Sequence, residues 1–380
     1  MPNYDYIIIG AGASGLLLAD ALGSDSFFSD KRILILDKNA KKTNDRTWCF
    51  WEKGEGDFDT ILHKSWPQIS FAGKELSLSI SISPYHYKML KGIDFYNHYL
   101  KKIESYANIT FSQEKVNSVI EITDEVHVKT ESSEYIGKQA FNSIFDYKKA
   151  LNQERYPVLQ QHFLGWFVKS EKAIFKTEEA TFMDFSIPQN GNTRFMYVLP
   201  FSETEALVEY TLFSEKTLEK KEYETAITSY LEEKLGVENY KITEVEQGNI
   251  PMTCFNFSEA NSNRILNIGI AGGWAKPSTG YTFYNSTKKV KELTHYLKSD
   301  KPLSKFSRKT RFWYYDLLLL DVLKKDNSLG QSIFESMFKK RNPQLILKFL
   351  DEDTSFWEEL KIIWACPKLP FIKALISRLL

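Results

Sequence analysis

The 380 residues carry 49 basic and 49 acidic side chains, so the formal net charge is zero and a whole-chain attraction to nucleic acid is not expected. A hydrophobic fraction of 43% beside 26% charged residues describes a folded chain, and its length exceeds one typical core. The 14% of aromatic residues suits either a large aromatic core or a pocket for a long apolar ligand.

The first predicted elements are an apolar strand over residues 6–9, the run Gly10-Ala11-Gly12-Ala13-Ser14-Gly15, an apolar helix over 16–22 and a strand over 32–36. A strand–helix–strand opening implies a parallel sheet with helices on its faces. The glycine run fits G-x-G-x-x-G. Gly10 permits a tight turn, Gly12 lets a pyrophosphate approach the backbone, and Gly15 lets helix and strand pack closely. The free N–H groups of the helix then face the phosphates. Asp37 ends the second strand, where an acid bonds ribose hydroxyls. A glycine turn without a ligand is the alternative, and the full strand–turn–helix–acid context favours a dinucleotide.

Short strands follow over 66–82, a helix over 95–104, several strands over 109–135, and a strand over 139–145 that returns to the first sheet. Residues 160–251 are strand-rich, with strands at 165–169, 180–187, 194–200 and 205–213, and Asn190-Gly191 marks a hairpin turn between two of them. A polar helix is predicted over 218–235. A late strand over 265–270 leads into a glycine-rich turn and a helical stretch, and residues 301–380 read as helices only. The fold class is therefore α/β. A Rossmann-type nucleotide-binding domain is expected from 1–68, 91–150 and 252–300. A β-rich substrate domain is expected from 69–90 and 151–251, and a helical C-terminal region from 301–380.

Two further properties bound the setting. Cys49, Cys254 and Cys366 are far apart and odd in number, so neither a disulfide framework nor a metal site is expected, and a reducing compartment fits. No basic segment followed by an apolar one precedes the first strand, so no secretory signal is expected. Apolar runs such as 317–320 fall far short of the roughly 20 residues that cross a bilayer.

Period-two geometry over 206–213 puts Leu207, Glu209, Thr211 and Phe213 on one strand face. A carboxyl among such neighbours is desolvated, and burial raises its pKa towards that of a proton donor. A salt-bridged or edge glutamate is the other reading, because buried glutamate is rare. Asp184 alternates with Phe182 and Ser186 on a probable neighbouring strand, as a second carboxyl, a group orienting Glu209, or an ordinary strand-end aspartate. His162, alone in an apolar stretch, reads as a packing residue before a proton carrier.

Asn44-Asp45-Arg46-Thr47-Trp48-Cys49-Phe50-Trp51 resembles the segment after the second strand in bacterial lycopene β-cyclases. Residues 161–165, Met183-Asp184, 194–200, 207–211, 246–251 and 276–281 resemble further blocks of the lycopene cyclase family, in matching order and approximate spacing. The resemblance implies a fold like that of p-hydroxybenzoate hydroxylase-type flavoproteins. It implies FAD in its reduced form, with NADPH as electron source. The implied substrate is lycopene or a related linear carotenoid, whose open ψ-ends close to β-ionone-type rings without net redox change. Glu209 matches the family's glutamate, and Arg46 and Trp48 are expected at the flavin. Gly272, Gly273, Pro277, Gly280 and Tyr281 are expected to shape the late turn beside it.

Three departures stand out. Phe167 and Tyr210 occupy places where relatives carry acids, and residues 141–145 lack a D-G-R-like turn. Two other readings stay open. One is a flavin monooxygenase or polyprenyl reductase, although Gly272-Gly273-Trp274 lacks the Gly-Asp usual there. The other is a non-catalytic flavin- or polyene-binding protein. A carotene is drawn from a bilayer, so peripheral attachment to the cytoplasmic face of a membrane is expected through the basic, apolar end 370–380. A helix packed on its own protein is the alternative for that end.

Overall fold

Strands buried on both faces build parallel sheets, and Ile33–Asp37 is buried at every position. In this computed structural model, which describes residues 3–299, 301–307 and 309–379, Ile33–Asp37 pairs in parallel with Tyr4–Ile9 and with Ile109–Gln113. Glu134–Asn142 lies on the far side of Tyr4–Ile9, also parallel. Its first half pairs with the antiparallel strand Glu125–Thr130 and its last three residues with the parallel strand Ile265–Asn267. The late strand therefore joins the first sheet. Helix Ala13–Ser24 packs against Gly92–Ile103 and Phe283–Leu297, and Ser14 Oγ lies 2.9 Å from Ser286 Oγ.

A second sheet runs in the order Tyr240–Thr253, Val158–Ser170, Glu205–Ser214, Thr193–Pro200, Glu179–Asp184, Gln68–Ala72, Ser77–Ser81. The hairpin before Thr193–Pro200 turns at Asn190 and Gly191, both at positive φ (45° and 79°), as a tight two-residue turn requires. One face of this sheet packs Leu164, Trp166, Met196 and Val208 on helix Lys220–Ser229 and its π-helical continuation Tyr230–Lys234. The other face carries Phe167, Phe182, Tyr197 and Leu207 and meets both a three-stranded ribbon and the C-terminal helices.

The ribbon consists of Thr47–Lys53, Tyr85–Lys91 and Lys64–Trp66. Residues 85–90, expected with the substrate domain, pair here with the ribbon. Tyr87 and Met89 face the sheet's core while Leu90 faces the nucleotide domain, so the strand is stable only as a wall between the two. The last five helices are Arg311–Lys325, Leu329–Lys340, Pro343–Leu350, Phe356–Ala365 and Lys368–Leu379. Three of these starts carry local caps: Thr310 accepts from Trp313 N, Asn342 from Leu345 N, and Ser355 forms a capping box with Glu358. Phe338 stacks on Phe71 at 4.1 Å and Phe334 on Phe185 at 5.5 Å, which seats Leu329–Lys340 on the sheet. Among the described residues, no helix is long and apolar enough to cross a membrane.

Candidate active site

Register partners in an antiparallel pair share a face. Gly165, on Val158–Ser170, is opposite Glu209 on one side and Glu246 on the other, and Tyr197 is opposite Glu209 on the next strand. Tyr197, Glu209, Gly165 and Glu246 thus form one row across the face that meets the ribbon. The glycine makes the row possible. A Cβ on Gly165 would stand 2.8 Å from Leu207 Cδ1, 3.2 Å from Glu246 Cγ and 3.4 Å from Glu209 Cβ.

The two carboxyl groups face each other across that gap, and each perturbs the other's ionisation. Thr211 Oγ1 donates to Glu209 Oε1 at 2.6 Å, and Thr47 Oγ1, from the ribbon, donates to Glu246 Oε2 at 2.5 Å. Burial holds Glu209 well above the usual carboxylate range, and the neighbouring charge of Glu246 adds to the effect against the Thr211 bond. Burial also raises Glu246, opposed by its bond to Thr47 and by Glu209.

Apart from Glu246, the groups named around Glu209 are uncharged. Tyr281 Oη lies 3.5 Å from Tyr87 Oη and 3.4 Å from Tyr197 Oη. Burial pushes the Tyr87, Tyr197 and Tyr281 phenols and the Cys49 thiol upward, so all are neutral near pH 7. Tyr281 arrives on the late segment. Ile265–Asn267 runs into the short turn Gly269–Gly272 beside Ser14, and Gly273 closes that turn at φ +71°. The loop from Lys276 to Tyr281, which holds Pro277 and Gly280, is closed by Lys276 N to Tyr281 O (3.0 Å) and Gly280 N to Lys276 O (2.8 Å). Lys276 Nζ is buried between Asp316 Oδ2 and Glu352 Oε1, 3.1 Å from each. One stretch of chain therefore links the first glycine turn to the acid row and is clamped by the C-terminal helices.

The glycine turn fits a pyrophosphate. Gly10 sits at φ +97°, and a Cβ on Gly15 would stand 1.9 Å from Gly10 O, so neither tolerates a side chain. Nothing lies within 4 Å of a Cβ built on Gly12, which leaves the turn open above it. Helix Ala13–Ser24 starts without a side-chain cap, so its first N–H groups remain for an anion. Asp37 Oδ2 accepts from Ala11 N at 2.7 Å and pairs with Lys41 at 3.4 Å, which ties the acid to the turn.

Alternation along Thr47–Lys53 separates the family-block residues. Thr47 and Trp51 face the sheet, whereas Trp48 faces the nucleotide domain and stacks on Phe283 at 5.0 Å. Arg46 is exposed, and its Nη1 donates to Asp45 O at 2.7 Å. Asp184 does not join Glu209. A register shift between Thr181 and Asp184 inverts the alternation, so Asp184 sits opposite Met196 on the other face and accepts from Tyr230 Oη at 2.8 Å. His162 also lies on that face, between Ser214 Oγ (2.7 Å) and Tyr223 Oη (2.5 Å), and burial lowers its pKa to about 4. It is a neutral packing group there. Tyr210, on the same side, accepts from Arg194 Nη1 at 2.8 Å. Phe167 stays on the site face, opposite Glu244 and under Lys91 Nζ at 5.2 Å from its ring. The acid that sequence reading passed over is Glu246. Its signal is the spacing of Glu244, Glu246 and Gly248 along one strand face.

Residues 5–376 match the family described as lycopene cyclase protein. The chain is 24% identical over 293 residues to the lycopene beta-cyclase of Pantoea ananas, covering 74% of this chain and 71% of that one. A geranylgeranyl bacteriochlorophyll reductase-like protein from Thermoplasma acidophilum shares the fold at a TM-score of 0.66 and 12% identity, over 98% of both chains. A halogenase variant crystallised with FAD shares it at 0.60 and 12% identity, over 97% of this chain and 87% of the other. The same fold is thus shared with a monooxygenase, a halogenase and a reductase-like protein. Because the family match runs through nearly every element described above, the chain belongs to the lycopene cyclase family.

Proposed function

We propose that this protein closes the open ψ-ends of lycopene or a related linear carotenoid to β-ionone-type rings, as an isomerase that binds FAD, and that Glu209 supplies the initiating proton. The observation that carries this reading is the placement of Glu209, a buried carboxyl set across Gly165 from Glu246 among neutral phenols, where burial raises it well above its ordinary range. Such a group is protonated near neutral pH and can give its proton to a terminal double bond. The neighbouring double bond attacks the resulting cation, and loss of a ring proton completes an isomerisation. Gly10, Gly12 and Gly15 would hold the pyrophosphate and Asp37 the ribose, while the 272–281 segment brings the nucleotide side towards the acid row. Reduced FAD, with NADPH as electron source, would supply negative charge that stabilises a cation in a dry site.

Expression in a lycopene-accumulating bacterium, with pigment analysis, tests the reading. Cyclic carotenoid should appear, and with purified protein NADPH should not be consumed in proportion to rings formed. Unchanged lycopene would overturn the proposal. One NADPH oxidised per product would identify a reductase or monooxygenase, chemistries that the same fold supports.

The same reading has the substrate drawn from the cytoplasmic face of a membrane. Helices Phe356–Ala365 and Lys368–Leu379 expose Trp357 (73%), Trp364 (61%), Leu369 (63%) and Leu379 (78%). Lys361, Lys368 and Lys373 stand among them, while Glu358 and Glu359 are neutralised by Lys348 and Arg311. Apolar rings beside cations that have no carboxylate partner among the described residues, with Lys368 Nζ 4.1 Å over the Trp364 ring, suit an anionic lipid surface. In liposome flotation, Trp357→Ala with Trp364→Ala should weaken binding to anionic vesicles by about tenfold or more, since each indole buries substantial apolar area. Unchanged flotation would remove these helices from the account.

A further inference from the structure

Glu209 lies deep in the sheet, whereas Glu246 stands on Tyr240–Thr253, the outermost strand, and keeps part of its surface open. We propose that Glu246 is the positioning residue that keeps Glu209 protonated. One proton is shared across the gap at Gly165, with Glu209 as donor and ionised Glu246 as acceptor. The pair stands on register geometry; its consequence for turnover rests on the cyclase reading above.

The polarity follows from exposure and charge. Thr211 donates to Glu209 Oε1 and Thr47 to Glu246 Oε2, so these two bonds offset each other, and Glu209 Oε2 is left to carry the proton. Two carboxylates in contact cannot both be ionised cheaply, so the member nearer solvent takes the charge. Lys91 favours the charge on Glu246, against Glu244. The other titratable groups facing the pair are Tyr197 on the adjacent strand, Tyr87 and Cys49 on the ribbon, and Tyr281 on the late segment. All four are neutral near pH 7.

The balance closes without a co-reactant. The Glu209 O–H bond breaks and a C–H bond forms at the polyene terminus, leaving Glu209 anionic beside the cation. After ring closure a ring C–H bond breaks, its electron pair becomes the ring double bond, and the proton returns to the carboxyl pair. A shift between the two acids then restores the starting state.

Two measurements on the flavin-loaded full chain test the pair, using Glu246→Gln, Glu246→Asp and, as control, Glu209→Gln. The first is the infrared carboxylic-acid band without substrate. It should persist above pH 7 in the native protein and vanish in Glu209→Gln. Removing the negative neighbour makes Glu209 easier to ionise, so in Glu246→Gln the band should titrate away about one pH unit lower or more. Burial still holds it above an ordinary carboxyl. Glu246→Asp keeps the charge one methylene further off and should shift the band the same way by less. The second measurement is the pH–rate profile with lycopene in liposomes. Glu246→Gln should be about tenfold slower at alkaline pH, one pKa unit corresponding to a factor of ten, and should recover as pH falls. An unshifted band in both Glu246 variants, or an unshifted rate profile, overturns the pair. A shifted band with no cyclisation even by the native chain leaves the pair standing and defeats the cyclase reading.

Discussion

On the proposed cyclase reading, Glu209→Gln is expected to lower cyclisation by about 100- to 10,000-fold, the usual contribution of a positioned general acid, with flavin binding unchanged. Glutamine matches glutamate in size. Its amide oxygen can still accept from Thr211 Oγ1, and its amide N–H can still reach Glu246, so the row through Gly165 should keep its shape. What disappears is an acidic proton. The nucleotide turn belongs to the other sheet, with Gly10 following Tyr4–Ile9. Chromatographic analysis of the carotenoids, beside flavin absorbance of the purified variant, separates the two effects. Native-like ring formation by this variant would mean that the proton comes from elsewhere. Loss of flavin together with activity would mean that the substitution disturbed the fold.

Lys276→Met should destabilise the protein by about 3–5 kcal/mol, the cost of breaking a buried ion pair by removing one partner. Lys276 is 3% exposed and Asp316 is 4% exposed. Without the ammonium, Asp316 is left as a buried carboxylate facing methyl groups. The second test is the pairing itself. Lys276→Met with Asp316→Leu removes the two buried charges and leaves only the part-exposed Glu352, and well-packed apolar replacements often recover the loss, so the double variant should be closer to the native chain than the single one. Urea unfolding followed by tryptophan fluorescence supplies the comparison. A single variant within about 1 kcal/mol of the native protein, the range of an exposed ion pair, would show that the bridge is not holding the 276–281 loop.

The parts of this protein open to sequence reading are those whose constraints are local. The turn from Gly10 to Gly15 and the acid at Asp37 belong to one strand–helix–strand unit, and Asn190-Gly191 encodes its own hairpin. Glu209 is also readable, because its strand alternates cleanly and its block resembles the family's. Glu246 alternates just as cleanly, but nothing within Tyr240–Thr253 says that Val158–Ser170 is its neighbour or that Gly165 is the residue between the acids. Asp184 misleads for the opposite reason. Its local pattern is regular, and the register shift that turns it away arises from pairing with Thr193–Pro200. Tyr85–Lys91 likewise has a strand pattern whose partner is settled only by the packing of two domains around it. The C-terminal helices announce themselves by caps and apolar periodicity, but the stacking of Phe334 and Phe338 on the sheet does not.

The pairing of Val158–Ser170 with Tyr240–Thr253 slips once, between Phe167 and Val168, just past the paired acids. The pairs from Val158 to Phe167 set the phase of Glu246 and lie on one side of that slip, whereas a residue added between Glu246 and Thr253 would flip every side chain beyond it to the opposite face. Chimeras assembled from divergent homologues should therefore tolerate crossovers near residue 240 and fail when they are cut near residue 253.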